Sequence, residues 1–499
     1  MNNTLITLSF LGLITTILAL KQARTSNHPL RRLPSPPGIW GLGNMLELLT
    51  AVNKGQYSAT FFQWGQKYPD KYVVWIGNRP LLTINNPKTI EEILLKGQKE
   101  GTFTRSPVFY KAYESIFGTH MANQTGEEWK WRRQSLVPNF KANRFSQKLD
   151  SIKESCEKVV ESINDAIKLE QPIKVDPLFI NLTMGVISYF LFGIAQKSDG
   201  TFTNPSFNPV KLYNALGILE KQVLLESANS NKILKLFFGR KLPEFDQSWQ
   251  DLQDFLNPQV ALALTIARER SSETAQQADP LVKQSILVQL AKSPKYSQDT
   301  LLAESMALMF AGHDTTAHTL SFIVGELGMN PHILQKAQAE VDRVWEKTEG
   351  LAVDSLDQLT YLTAIIQETM RLHPIVPGIP LITTCETEID GVTVPQGVGI
   401  ELLFLGAGRN EEMYPNPNKF DPDRWLVPPQ ARPLMLGFSL GAHGCVGNHL
   451  ALLEATVMLA LLLRRFNWEL VNGGKSLTEL DQNLTIFPRD RMPVRFSLR

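Results

Sequence analysis

The sequence predicts a predominantly α-helical protein with small β-sheets, an α+β fold, and three observations carry that expectation. Apolar residues recur at helical spacing over long stretches, whereas strand-like runs are short and few. Beyond Trp40 no second linker, repeat or low-complexity block interrupts the chain, so most of its 499 residues are expected to form one large domain. Apolar residues make up 43% and charged residues 20%, which supplies a large core and leaves no compositional sign of disorder.

Residues 4–20 are uncharged and mostly apolar, and Lys21, Arg24, Arg31 and Arg32 follow at once. This length is the lower limit of a bilayer-spanning helix. A cleaved signal peptide or a soluble helix are the rival readings, but Met1-Asn2-Asn3 carries no basic side chain and no small-x-small site precedes the basic cluster. A single-pass membrane anchor with a basic flank is therefore expected over residues 1–24. The positive flank places the remainder on the cytoplasmic side. Residues 25–44, with Leu33-Pro34-Ser35-Pro36-Pro37-Gly38, read as a Pro/Gly-rich spacer. The folded domain then occupies 45–499.

Within that domain, residues 72–76 and 80–84 read as strands, and the runs flanking Asp390-Gly391 as a hairpin, because an Asp-Gly pair suits a tight turn. Residues 146–169 read as an amphipathic helix and 301–329 as a long, largely buried one. The run 450–466 is apolar almost all round, as a core helix should be.

Charge and cysteine usage exclude several functions. Fifty Lys and Arg face 49 Asp and Glu, a formal charge of +1, so no nucleic-acid partner is expected. Cys156, Cys385 and Cys445 are too few and too scattered for a disulfide framework or a zinc cluster. A reducing compartment fits, and any metal role falls to one cysteine working with a prosthetic group, or to none.

The segment Phe438-Ser439-Leu440-Gly441-Ala442-His443-Gly444-Cys445-Val446-Gly447 sets Cys445 in a glycine-rich loop before an apolar helix. A lone cysteine is ordinarily a buried structural residue. Here, however, glycines let backbone and a flat macrocycle come close without Cβ atoms in the way, and a helix N-terminus near the sulfur favours thiolate. This loop resembles the haem-binding loop of the cytochrome P-450 family, written F-x-x-G-x-(R or H)-x-C-x-G. The resemblance implies a single large haem domain of that fold. It implies haem b with Cys445 as axial thiolate ligand, Phe438, Gly441 and Gly447 shaping the loop, and His443 meeting a haem propionate.

Three upstream motifs extend the resemblance. Glu368 and Arg371, three apart on a helix, would alone be a surface ion pair. With Phe420-Asp421-Pro422-Asp423-Arg424 they are similar to the family's E-x-x-R helix and later arginine, which implies that Glu368, Arg371 and Arg424 brace the cysteine loop as a buried cluster. Trp129 and Arg133, four apart, could equally lie on a generic amphipathic helix; the resemblance makes them a propionate-binding pair. Ala311-Gly312-His313-Asp314-Thr315-Thr316 breaks an apolar helix with residues a core seldom carries. A Thr315 hydroxyl bonded to the Ala311 carbonyl would loosen the ladder, with Gly312 leaving room beside it. The resemblance assigns Asp314 and Thr315 to proton delivery during O2 activation and leaves His313 a neighbour rather than a ligand. One departure stands out: Leu381-Ile382-Thr383-Thr384 carries no basic residue, although many relatives place a second propionate contact there.

The resemblance implies a monooxygenase inserting one oxygen atom of O2 into a lipophilic small molecule, with an apolar pocket drawing on Phe103, Phe109, Phe117, Ile375, Val376, Ile379 and Phe487. NAD(P)H-derived electrons are expected through a separate ferredoxin, flavodoxin-type or diflavin reductase partner, since no flavin or nicotinamide module follows the haem-like region. Lys130, Arg132, Arg133, Lys141 and Arg144 are an expected docking stretch for an acidic partner. The alternatives are a haem-thiolate isomerase, dehydratase or peroxygenase, or a non-catalytic haem or ligand binder. An intact Asp314-Thr315 pair argues against those that need no O2.

Overall fold

The computed structural model describes residues 28–197, 199–228, 241–269 and 271–499. The segment expected as an anchor lies outside them. The chain forms two compact units, each assembled from segments distant in sequence. Among the described residues, one comprises 28–107 with 377–417 and 439–443, the other those within 108–376, 418–438 and 444–499.

The first unit is built on a five-stranded sheet in the order Lys71–Ile76, Arg79–Ile84, Gly399–Leu403, Gly378–Thr383, Phe103–Arg105. Arg79–Ile84 and Gly399–Leu403 run parallel, and the other neighbours are antiparallel. Tyr72, Val73, Val74, Leu82, Ile84, Ile400 and Leu402 are buried, so these strands use β-branched and aromatic side chains to fill both faces. The Asp-Gly hairpin joins Thr387–Ile389 to Val392–Val394, and Asp390 and Gly391 have φ of 45° and 72°, the pair of left-handed conformations a two-residue hairpin turn requires. The Pro/Gly-rich segment is docked on the sheet. Leu30 is fully buried, the Arg31 guanidinium lies 3.8 Å from the centre of the Trp75 ring, and Val73 N–H donates to the Pro34 carbonyl at 2.9 Å.

The second unit is mostly helical. Leu149–Lys168 turns Leu149, Ile152, Cys156, Val159, Val160 and Ile163 inward at helical spacing, and Cys156 is a core residue whose thiol pKa is pushed up by burial. Gln298–Met329 is the longest helix, started by Ser297, whose hydroxyl accepts the Thr300 N–H at 3.2 Å. It packs along Val175–Phe192, a helix long and apolar enough to cross a membrane yet 67% buried within the protein. That burial makes it a core helix.

Asn448–Arg465 buries an unbroken run from Glu454 to Leu463. It ends at Arg465 because Phe466 turns into a strand, one residue short of the helix expected from sequence. That strand, Phe466–Leu470, pairs with Pro493–Leu498, which also pairs with Ile173–Lys174. Leu480–Gln482 and Ile486–Pro488 form a separate hairpin.

Candidate active site

Cys445 lies three residues before the Asn448–Arg465 helix, and its N–H donates to the Phe438 carbonyl at 2.8 Å, which closes the turn that presents the sulfur. The residue keeps solvent-accessible surface although protein surrounds it closely. Burial accordingly pushes its thiol pKa up, while the Gly447 and Asn448 amides and the Arg133 guanidinium pull it down by less. The helix N-terminus therefore acts on the sulfur as the sequence suggests, but it does not by itself make a thiolate; a coordinated metal would deprotonate the thiol outright. A Cβ at Gly447 would meet only Cys445 Sγ, at 3.9 Å, so backbone and open space flank the sulfur there.

Trp129 and Arg133 are both half-buried on the helix Gly126–Leu136, and Arg133 is close enough for its charge to reach Cys445. Arg132, beside it, is internal: it contacts Glu304 and Glu128, each at 3.4 Å. The stretch expected to attract an acidic partner is correspondingly weaker. Arg132 is not on the surface, Lys130 pairs with Glu127, and Arg144 bonds Asn139 and the Gln284 carbonyl.

Glu368, Arg371 and Arg424 are brought together. The fully buried Glu368 carboxylate accepts from Arg371 Nε at 2.8 Å and Nη2 at 2.7 Å, and from Arg424 Nε at 3.0 Å. Two donors absent from the sequence reading complete its shell: the Asp421 amide at 2.8 Å and Trp425 Nε1 at 2.9 Å. Every lone pair has a donor, which is the condition for burying such a charge.

The Gln298–Met329 helix runs unbroken through 311–316. Thr315 Oγ1 donates to the Ala311 carbonyl at 2.9 Å, but the ladder is not opened. The expected room beside Gly312 is also absent: a Cβ there would lie 2.6 Å from Ile187 Cγ1, so the glycine serves close packing of two core helices. His313 is buried, with Nδ1 2.7 Å from the Met309 carbonyl. Within this buried helix Ala311 is exposed and Thr315 partly so, and the accessible face lies there.

Asp314, by contrast, points into the protein. It contacts His318 Nε2 at 2.9 Å and accepts from the Thr485 hydroxyl. Desolvation would raise its pKa, but the His318 charge and hydrogen bond hold it well below the usual carboxylate range. His318 Nδ1 in turn lies 2.7 Å from Asp176, whose other oxygen accepts from Arg491 at 2.9 Å. Of this network only His318 had a signal in the sequence, the i, i+4 spacing from Asp314; Asp176, Thr485 and Arg491 are far off along the chain.

In the first unit, His443 sits in the short 3₁₀ turn Gly441–His443, and Gly441 has φ 69°, with its Cα so placed that a Cβ would lie 2.8 Å from the Leu94 carbonyl oxygen. Arg105 Nη2 is 3.3 Å from His443 Nδ1. Arg105 stands opposite Leu381 in the sheet, so a cation lies on the strand next to 381–384, which has none of its own. Of the residues expected to line a pocket, Phe103, Phe117, Ile375 and Phe487 are buried, Phe109 and Ile379 half-buried, and Val376 exposed.

The donor set fits a haem. The second unit offers one soft sulfur donor in a glycine-flanked turn, a helix face open at Ala311 and Thr315, and the Arg133 guanidinium for an acidic arm. The first unit separately holds the Arg105 guanidinium beside the His443 ring. The cytochrome P-450 family model matches residues 33–495. The chain is 28% identical to the probable cytochrome P-450 4s3 of Drosophila melanogaster over 466 residues, covering 89% of this chain and 90% of that one. It is 26% identical over 462 residues to cytochrome P-450 4c21 of Blattella germanica, covering 89% of each, and 26% identical over 471 residues to cytochrome P-450 3A9 of Rattus norvegicus, covering 92% and 91%. Site geometry and whole-chain similarity agree: the chain belongs to the cytochrome P-450 family and is a haem-thiolate monooxygenase.

Proposed function

We propose that the protein inserts one oxygen atom of O2 into a lipophilic small molecule, with electrons supplied by a separate redox partner of ferredoxin, flavodoxin-type or diflavin class. The observation that carries the residue assignment is the turn at Cys445, closed by its own N–H on Phe438 and flanked by bare backbone at Gly447. Haem bound there supplies O2 activation by an iron whose thiolate ligand donates electron density. Cys445 is that ligand. Phe438, Gly441 and Gly447 give the turn its shape.

Trp129 and Arg133 take one acidic arm of the macrocycle, an indole N–H and a guanidinium one helical turn apart. His443 takes another, and Arg105 beside it supplies the cation the sequence reading missed. Glu368, Arg371 and Arg424 do no chemistry; they fix the segment leading into the cysteine turn. The partly accessible Thr315 hydroxyl hands protons toward O2, and Asp314 stands behind it.

Residues 45–499 form the catalytic domain. Residues 1–24 anchor it to a membrane with the domain on the cytoplasmic side, and 25–44 join the two; the apolar run and the cations directly after it support this placement. The apolar character of the residues expected to line the pocket, Phe103, Phe109, Phe117, Ile375, Val376, Ile379 and Phe487, supports a lipophilic substrate.

The test is the absorption spectrum of the dithionite-reduced protein under carbon monoxide, beside Cys445→Ser. A long-wavelength thiolate-type Soret band in wild type that is lost in the variant is the expected result. An unchanged band in Cys445→Ser would move the ligand elsewhere.

A further inference from the structure

Asp314 is tied into a buried cluster that the proton-delivery reading does not use. Asp176, on Val175–Phe192, has no accessible surface, yet it contacts His318 Nδ1 at 2.7 Å, accepts the Ser321 hydroxyl at 2.8 Å and accepts Arg491 Nη1 at 2.9 Å. His318, also without accessible surface, reaches Asp314 Oδ1 with Nε2 at 2.9 Å, an ion-pair contact whose N–H is not aimed squarely at the oxygen. Arg491 continues to the Tyr213 hydroxyl at 2.7 Å, and its side chain is 28% exposed.

The charges decide the state of the ring. Two carboxylates, Asp176 and Asp314, are sealed in the core, and one partly exposed guanidinium, Arg491, reaches Asp176. A neutral His318 would leave one buried negative charge without a counter-ion, whereas an imidazolium balances the four groups. Both ring nitrogens lie against carboxylate oxygens, and only the imidazolium presents an N–H at both.

The remaining groups around the ring do not reverse this. His313 on the same helix is buried, with its pKa lowered chiefly by desolvation, and so stays neutral. Glu220, on Pro209–Ala228, has its pKa raised well above the usual carboxylate value, chiefly by desolvation, and bonds the Leu484 amide; in either protonation state it adds no positive charge against the ring. Tyr213 is pushed well above its ordinary value, chiefly by burial, Thr485 and Ser321 are hydroxyls, and Phe487 presents a ring 5.2 Å away.

We propose that His318 is a positioning residue for the oxygen-side acid: clamped as an imidazolium between Asp176 and Asp314, it holds Asp314 as a docked carboxylate and keeps the Asp314–Thr315 pair in one arrangement across neutral pH. The proposal rests on the reading that Asp314 and Thr315 handle protons. Desolvation would lower the His318 pKa, but the Asp176 and then Asp314 carboxylates push it up to about 10. Asp314 is therefore ionised at rest. A proton it hands on must first be taken up, and the carboxylate must leave His318 to take it.

The experiment has one arm that needs no turnover. In the full-length, haem-loaded protein labelled with [15N]histidine, His318 should show imidazolium shifts through about pH 8.5, and Asp176→Asn should lower its midpoint by at least about one pH unit. A neutral His318 ring at pH 7.5 in wild type overturns the proposal. In the second arm, hydrogen peroxide released per electron pair consumed is followed with pH, using a surrogate electron donor and an apolar test substrate. Wild type should be flat from about pH 6 to 8.5, and His318→Gln should introduce a step in that range as Asp314 becomes titratable. A flat profile in folded His318→Gln overturns the proposal; if Thr315→Ala still raises peroxide release, the parent reading stands without it. If Thr315→Ala leaves peroxide unchanged, the parent reading fails, and the pH arm fails with it.

Discussion

Replacing Glu368 with alanine should unseat the segment that leads into the cysteine turn. The carboxylate has no accessible surface and receives five contacts between 2.7 and 3.0 Å, three from Arg371 and Arg424, one from the Asp421 amide and one from Trp425. Breaking a buried ion pair on one side costs about 3–5 kcal/mol, and each stranded neutral donor about 1–3 kcal/mol. Two features hold the sum toward the low end: Arg371 keeps the Lys419 carbonyl at 3.2 Å, and the Arg424 side chain is 10% exposed and can reach water. A loss of roughly 5 kcal/mol results, comparable with the whole stability of a marginal protein. Unfolding entropy of about 2.1 cal/mol/K per residue over roughly 460 residues amounts to about 1 kcal/mol/K, so Tm should fall by about 5 °C. Glu368→Gln, which keeps the shape and one acceptor, should fall by about half as much. Far-ultraviolet circular dichroism melts measure this, with Lys168→Ala as the control, because Lys168 and Asp165 are an exposed pair worth little. A Glu368→Ala protein melting within about 1 °C of wild type, with full haem content, would refute the cluster as a brace.

Glu304 has its pKa raised to about 7, chiefly by desolvation and against the pull of Arg132 and the Met121 amide. Because the folded pKa lies above the unfolded value of 4.5, the folded state holds this proton more tightly. The stability it contributes is present at acid pH and is lost as pH rises through 7, by roughly 3 kcal/mol. The Tm of wild type relative to Glu304→Gln should therefore fall from about pH 4.5 to 7 and level off above it, and a constant difference across that range would count against it. Gly441→Ala should cost about 1–2 kcal/mol for its left-handed conformation, plus the shift needed to clear the Leu94 carbonyl, read as lower Tm and haem occupancy. Arg105→Ala should speed haem transfer to an apoglobin acceptor by about 10- to 100-fold if its guanidinium holds an acidic arm, and Arg105→Lys should recover part of that loss.

Much of the arrangement could be read from the chain because it rests on local chemistry. Helical spacing announces Leu149–Lys168 and Gln298–Met329, and an Asp-Gly pair announces its hairpin, because each depends on neighbours in sequence. What escaped depends on partners far apart along the chain. Arg105 reaches His443 only because Phe103–Arg105 pairs with Gly378–Thr383, a register no local pattern reports. Asp176 and Arg491 stand 315 positions apart and share an ion pair. Gly312 misled for a related reason: the absence of a side chain says that something comes close, and sequence alone does not say whether it is a ligand or, as here, Ile187.

The polar residues of Gln298–Met329 divide by what surrounds them, and the division separates structure from chemistry. Glu304 pairs with Arg132, Asp314 with His318, Ser321 with Asp176 and Glu326 with His373, and all four are buried. Those partners hold each group where it is and make it expensive to move, even at Glu304, where desolvation still outweighs the pull of Arg132. Thr315 differs: its hydroxyl is satisfied by its own helix at Ala311, and it keeps accessible surface beside that exposed residue. A group that needs no distant partner and faces outward from the core can exchange its hydrogen bond at little cost, which a proton-handling hydroxyl must do in every cycle. On the proposed proton-handling role, Thr315 rather than the more heavily partnered Asp314 is the side chain of this helix expected to act first, with Asp314 following only once its contact with His318 opens.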